Sequence, residues 1–524
     1  MVEQESNRLL FEGNYEEYFK LSPEQKIEKV LGIQDLLTEK HQTDNRKVSL
    51  LLELGNLLIS AKEYETAITS YDQALKLKPD YYQAWNNRGN VLRKLGRNEE
   101  AITSYDQALK IKQNSHQAWG NRGITLCSLG RNEEAIASFD KVLEIKPDSQ
   151  QAWNNRGNAL GKLGRNEQAI TSYDQALKLK PDLHEAWYYQ GIRLFNLGRN
   201  EEAIASYDQA LKSQPDLHEA WNNRGNALGK LGRYEEAIAS YDQALKSQPD
   251  YHQAWNSRGI ALRNLGRYEE AIASFDKALK IKPDYHYAWE NRGYALYSLV
   301  RYAEAIASFD KVLEIQPEHY QSLNNRGYLL LKEYSCEGRV YIYEKALDIG
   351  LLLDKYNNKK VSKIYNLGLD EEAIINFDKA ITIKPNFELA WTNRSFALYY
   401  LVRYEEAIKS CKKALEFKYE DYVVWSNKGF ALMKLERYEE VIASFDRVIE
   451  INPDNHTAWY NKACCYASQK NVELALENLQ QAININPDEY REMAKSDSDF
   501  DSIREDERFQ VLIQQNSDRL YTST

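Results

Sequence analysis

Six of the eight histidines, His116, His184, His218, His252, His286 and His456, are separated by 34 residues or by whole multiples of 34. Imidazole is the commonest metal ligand and the usual general base near neutral pH, so a regular file of it invites a metal or acid–base centre. The spacing argues against both. If one period is one pair of packed helices, neighbouring histidines stand roughly 10 Å apart. Ligands of a shared metal must all lie about 2 Å from it. The reading left is a residue that starts a helix. The five cysteines, Cys127, Cys336, Cys411, Cys464 and Cys465, follow no paired pattern, and two are adjacent in the chain. That suits neither a structural disulfide nor a zinc site, and points to reduced thiols in a cytoplasm. The glycines are spread on the same period, so no phosphate-cradling loop or dinucleotide fingerprint arises. No catalytic residue, metal or cofactor is expected.

Three polar residue types share the period. Aspartate recurs at Asp106, Asp140, Asp174, Asp208, Asp242, Asp276, Asp310, Asp378 and Asp446. Arginine recurs at Arg88, Arg122, Arg156, Arg224, Arg258, Arg292, Arg326 and Arg394. Each of these arginines lies three residues after a tryptophan or its equivalent and four before a leucine, which turns it toward the packed side of a helix. A partly buried guanidinium needs an acidic partner, and the aspartates are the acids of matching period. An Arg–Asp ladder is therefore expected. Asparagine recurs at Asn87, Asn121, Asn155, Asn223, Asn291, Asn325, Asn393, Asn427 and Asn461. A primary amide both donates and accepts, so such a file can pair with the backbone of an extended peptide whatever its side chains. It can equally bond to the neighbouring repeat.

The elements that carry these files are set by two rarer residues. All ten tryptophans (Trp85, Trp119, Trp153, Trp187, Trp221, Trp255, Trp289, Trp391, Trp425, Trp459) fall on one 34-residue grid, with a single gap of three periods after Trp289. Ten of the eleven prolines lie at one fixed offset from it. A period of this length means stacked supersecondary units. In residues 218–251, Ala220, Trp221, Gly225 and Leu228 form one face of a first helix. Gly232 ends it, Ala237, Ile238, Tyr241, Ala244 and Leu245 make the stripe of a second, and Pro249 stops that one. Trp221 is expected to fill the space between the two helices.

This pattern, W-x2-R-G-x2-L followed by alanine, an aromatic, A-L and proline, resembles the tetratricopeptide repeat, in a bacterial and specifically cyanobacterial style. The resemblance spans residues 48–489. It implies an all-α, right-handed superhelical solenoid of about 13 tandem helix–turn–helix units with helical end caps. Arginine replaces the family's usual leucine at position seven, counting tryptophan as position four. Residues 48–319 read as regular repeats one to eight, and 388–489 as repeats eleven to thirteen. Residues 320–387 read as two degraded repeats in register, Leu323 standing for tryptophan and DKYNNKKVSKIYNLG having lost the signature. Residues 1–47 read as an N-terminal helical cap, with Ser22-Pro23-Glu24-Gln25 starting a helix to about Lys40 and another expected over 5–20. Residues 490–524 read as an acidic capping segment, with Phe500, Ile503, Phe509 and Ile513 covering the last repeat.

The resemblance also implies a concave groove lined by positions two, five, six, nine, twelve and thirteen of the first helices. The asparagine file then faces the groove. Early repeats make it small and polar. From repeat eight it turns aromatic, with Tyr287, Tyr294, Tyr297, Tyr328, Phe396, Tyr399, Tyr400 and Phe430, the residue types that anchor protein recognition. The function implied is a non-enzymatic scaffold holding a protein or peptide segment. The alternative is a regulatory or substrate-recruiting arm for a glycosyltransferase or kinase on a separate chain. The carboxylate clamp of chaperone-binding relatives, lysine at position five with arginine at position six, is missing, so no heat-shock chaperone partner is expected. A net charge of -10 and a pI near 5.6 disfavour nucleic acid. No apolar run is long enough to span a bilayer, and the first residues lack a secretion signal's pattern, so a cytoplasmic location without membrane insertion is expected.

Overall fold

The computed structural model describes residues 16–39, 41–333 and 367–514, and within them every regular element is helical. The chain divides into two compact blocks, Met1–Leu265 and Gly266–Thr524. Each block is a run of antiparallel helix pairs, in which the first helix of a repeat packs on its second and the second on the first helix of the next repeat.

The repeat 218–251 shows how the sequence makes a pair. Its first helix is His218–Lys230 and its second Tyr234–Ser247. Between them Gly232 sits at φ 75°, a left-handed backbone that glycine adopts without a Cβ clash. The Arg233 amide donates back to the Leu228 carbonyl at 3.0 Å, closing the turn. All six periodic histidines are the first residues of helices, as their spacing predicts.

The core ring is not the tryptophan. The aromatic of the second helix (Tyr71, Tyr105, Phe139, Tyr173, Tyr207 and their equivalents) is wholly buried, whereas the grid tryptophans are half-buried, Trp425 excepted. A Cβ on Gly225 would lie 2.5 Å from Tyr241 Cε1, so glycine is what lets that ring reach the first helix. Trp221 lies instead at the junction between repeats, where its indole Nε1 donates to the Pro215 carbonyl at 2.9 Å. The same bond recurs at Trp85–Pro79, Trp153–Pro147, Trp187–Pro181, Trp255–Pro249, Trp289–Pro283, Trp391–Pro385 and Trp459–Pro453. The two grids run in step because one residue bonds the other.

Across the degraded stretch the two described helices, one from each expected repeat, pack on each other. Tyr320–Glu333, a first helix, packs along Leu367–Ile383, a second helix, as closely as the partners within any regular repeat. Gly327 receives Phe377, as Gly225 receives Tyr241. Three bonds show the same skip of one period. Asn393 to Asn324 spans 69 residues where Asn223 to Tyr188 spans 35. Lys384 to Tyr320 spans 64 where Gln316 to His286 spans 30. Arg326 reaches Glu372 across 46. The physical reason is that the intact signatures, NNRGYLL and EEAIINFDKAI, are the two halves of one repeat. The halves expected between them, including the helix of 354–368, fall in 334–366, outside the described residues but for its last two positions.

At the ends, Ser22 caps the helix Pro23–Thr38 in a reciprocal box with Gln25. Tyr18 and Ile33 join the core begun by Val48, Leu51 and Leu54. The helix expected over 5–20 is described only as Glu16–Phe19. At the other end Phe500, Ile503, Phe509 and Ile513 are buried with Tyr460, Leu479 and Tyr490.

Candidate functional site

The arginine file forms the ladder its period predicts. Arg224 Nε donates to Asp208 Oδ1 of the preceding repeat at 2.7 Å, and Nη1 donates to Ser240 Oγ of its own second helix at 2.7 Å. The guanidinium carbon lies 5.8 Å from the centre of the Trp221 ring. Arg88, Arg122, Arg156, Arg258, Arg292, Arg326 and Arg394 pair with Asp72, Asp106, Asp140, Asp242, Asp276, Asp310 and Asp378 at 2.5–2.8 Å. Gln190 and Lys462 stand in for arginine and keep the bond, to Asp174 at 2.7 Å and Asp446 at 2.6 Å. Among the described residues the file breaks where Lys428 has Lys412 in the aspartate's place. Burial, and then that like charge, push the Lys428 ammonium below its ordinary value.

A second ladder went unread in the sequence. Arg97 clasps Glu100 at 2.6 Å and reaches Glu65 of the preceding repeat at 3.2 Å, and the motif recurs at Arg131, Arg199, Arg233, Arg403 and Arg437. The signal was present as R-N/Y-E-E after the turn at each of these arginines. These groups are largely exposed, and like the first ladder each joins one repeat to the next.

The asparagine file divides by what stands opposite it. Asn87 and Asn121 are buried and donate to Asn56 and Asn90, at position nine of the preceding repeat, at 3.2 and 3.0 Å. Tyr71 and Tyr105 donate to the same two oxygens. Asn325 donates to the Tyr294 hydroxyl at 2.9 Å, Asn223 to the Tyr188 hydroxyl at 3.4 Å, and Asn393 to Asn324 at 3.0 Å. Asn291 and Asn461 turn back onto the carbonyls of Tyr287 and Thr457 in their own helices. Asn155 differs. The residue opposite is Ile124, which offers no acceptor, and Asn155 makes no side-chain hydrogen bond among the described residues. Asn427 faces Phe396 in the same way and is half-buried.

Among the hollows that border the first helices of the first block are two formed by described residues. One, of about 410 Å³, is lined by Asn155, Asn158, Lys162, Tyr189 and Arg193 among others. The other, of about 450 Å³, includes Asn226, Lys230, Tyr234 and Ser257.

The aromatic residues lie in the second block. Tyr287 and Tyr297 are 52 % and 38 % exposed. Tyr297 gathers with Tyr302 and Tyr328, ring centres 6.0 and 6.2 Å away. Tyr399 and Tyr400 meet edge-on at 5.5 Å, beside Phe396 and Tyr404. Tyr294 and Phe430 pack on the buried rings of Phe309 and Phe445, both at 5.5 Å. They are supports, while Tyr287 and Tyr297 present open ring surface.

Tandem helix pairs locked by a periodic core define the class: a helical-repeat protein. Models described as tetratricopeptide repeat match residues 52–116, 154–218 and 222–286, and again 286–319, 422–455 and 456–489, and a TPR repeat model matches 123–164. The chain belongs to the tetratricopeptide repeat family, whose repeats serve protein–protein interaction. Among solved structures it is similar to YrrB, described as a TPR protein with an unusual peptide-binding site (22 % identity over 36 % of this chain and 96 % of that one, TM-score 0.33). A tetratricopeptide repeat protein from Parabacteroides merdae matches at 20 % identity over 48 % of this chain and 99 % of its own (TM-score 0.37). MamA from Desulfovibrio magneticus matches at 22 % over 32 % and 96 % (TM-score 0.31). No curated protein matches the chain. Among the described residues no helix is long and apolar enough to cross a membrane.

Proposed function

We propose that the protein is a non-enzymatic scaffold that holds a peptide or protein segment against the first-helix face of its repeats. The observation that carries this reading is the open aromatic surface of the second block. Tyr287 and Tyr297 stay exposed where the regular repeats, Phe195 apart, place small or polar residues. Water-exposed tyrosine rings on a rigid scaffold are efficient anchors, because they bury a large area with few rotatable bonds. Phe396, Tyr399 and Tyr400 extend the surface. Asn155 and Asn427, unclaimed by a neighbouring repeat, supply amides for a partner's backbone.

The test is a pull-down from extract with wild type and a Tyr297→Ala, Tyr399→Ala variant. The proposal expects bound protein to fall with the melting temperature held. Equal capture by both would overturn the aromatic anchor. Lost capture together with a collapse in melting temperature would make these rings packing residues, overturning it equally.

A further inference from the structure

Among the described residues, the Arg–Asp ladder has a rung without an acid, and that rung lies in the second block. At the other described rungs the base of one repeat meets an aspartate of the repeat before it. Here the base is Lys428, on the helix Tyr422–Met433, and Lys412, on the helix Tyr404–Phe417, takes the aspartate's place. The two helices pack on each other, and the charge of Lys412 reaches Lys428. Lys428 is half-buried, its ammonium 4.4 Å from the centre of the Trp425 ring. Neither lysine has an ion-pair or hydrogen-bond partner among the described residues. The nearest acid whose charge Lys428 feels, Glu440, is clasped by Arg437 at 2.6 Å.

The neighbouring repeats say what would fill the opening. Lys462, one repeat further on, holds Asp446 at 2.6 Å from the same position, above its own tryptophan. A lysine there is therefore long enough to donate to an oxygen standing in the carboxylate's place. The charge, however, exceeds what one carboxylate balances. Lys409 lies one turn before Lys412 on the same exposed face, where regular repeats carry threonine or alanine, as at Thr171 and Ala239. A regular rung is one cation and one anion. This one is two cations with a third at the edge, in a chain whose net charge is -10.

We propose that the vacated rung is an oxyanion site whose ligand is a phosphate monoester, held by Lys428 and Lys412 with Lys409 at its rim. Charge selects the ligand. A carboxylate would cancel one cation and leave the other, whereas a phosphate monoester carries about 1.5–2 negative charges near neutral pH and matches the pair. Lysine binds phosphate as a point charge, without the two-pronged geometry that arginine imposes. The site uses none of the aromatic residues, so it stands or falls apart from the scaffold reading. A phosphorylated serine or threonine and a free phosphate ester share this chemistry, and the experiment separates them.

Hydrogen exchange of the full chain is followed at the amides of Tyr404–Phe417 and Tyr422–Met433. The probes are inorganic phosphate and a pool of random twelve-residue peptides with one central phosphoserine, each added at constant ionic strength. Phosphate at ten times its dissociation constant should slow exchange there about tenfold. The amides around Arg224, whose rung is intact, should not respond, which separates binding from the general effect of phosphate as a salt. Lys412→Asp fills the site with an acid of the chain's own. Lys428→Gln removes the inner charge and keeps a side chain that this position already holds at Gln190. Both variants should retain the wild-type helical signal and lose the phosphate response. Phosphopeptides that protect at lower concentration than inorganic phosphate, and than the same pool with serine, make the ligand a phosphorylated segment. Protection by inorganic phosphate at equal or lower concentration makes it a free ester and upholds the site equally. No slowing in wild type with either probe, equal slowing in the variants, or equal slowing around Arg224 would overturn the proposal.

Discussion

Arg224→Ala measures what one rung of the Arg–Asp ladder contributes. The side chain is 21 % exposed and its partner Asp208 43 %, so the pair lies between a surface ion pair, worth about 0–1 kcal/mol, and a buried one, whose breaking costs about 3–5. The substitution removes a charge-assisted bond to Asp208 and a bond to Ser240, both 2.7 Å long. It also removes the contact over Trp221 at 5.8 Å, of the kind worth about 0.5–1 kcal/mol. Asp208 can rehydrate once freed, which trims the penalty. Together these give about 2 kcal/mol. The chain supplies its own controls. Gln190 bonds both Asp174 and Ser206, at 2.7 and 3.0 Å. Arg224→Gln should accordingly cost about half as much as Arg224→Ala. Urea denaturation gives the readout, followed by far-ultraviolet circular dichroism and native-state hydrogen exchange of the amides around Trp221. The second probe is needed because a repeat array can open locally. A cost below about 0.5 kcal/mol for alanine, or no difference between alanine and glutamine, would refute the ladder as a stabilising element.

Restoring the missing rung by Lys412→Asp should stabilise the second block by about 1 kcal/mol, read as a higher urea midpoint, since it replaces the repulsion on Lys428 by attraction. Deleting residues 334–367 joins Glu333 to Gly368 and leaves a repeat of ordinary length with glycine at its turn. The variant should keep cooperative melting with a midpoint near that of wild type, and loss of cooperative melting would refute the pairing of Tyr320–Glu333 with Leu367–Ile383. Gly225→Ala should destabilise by about 1–3 kcal/mol in thermal or urea melts, because the new methyl would meet the wholly packed Tyr241 ring at 2.5 Å. Glu100, Glu134, Glu202, Glu236, Glu304 and Glu406 are all held below the ordinary value of 4.5, first by a hydrogen bond from arginine. A depressed carboxyl contributes stability above its unfolded value and loses it as pH falls through the folded one. Melting midpoints should hold from pH 7 to about 5 and decline below about 4.5, and a midpoint that climbed on acidification would contradict the sign.

The sequence alone determined what repeats. Tryptophan, proline, glycine and aspartate on one period state the helix pair, its turn and its stop, because each is the local chemistry of a single repeat or of one repeat against the next. The Arg–Asp ladder was legible for the same reason: two charges of equal period must meet at every step or at none. Tertiary structure decided whatever depends on one residue's particular neighbour. The tryptophan looked like the core ring from its size, yet glycine at position eight gives that place to the aromatic of the second helix, and the indole reaches outward to a proline carbonyl. The spacing across 320–387 preserved the grid, but spacing cannot say which halves pair. Only the packing of Gly327 on Phe377 does so. The asparagines formed one file in the sequence. In the fold they separate into amides spent on a neighbour and amides left open, because the deciding atom belongs to position nine of another repeat: an oxygen at Asn90, a methyl-bearing chain at Ile124. Periodicity fixes the scaffold through interactions every repeat shares, and the departures from it are settled one neighbour at a time.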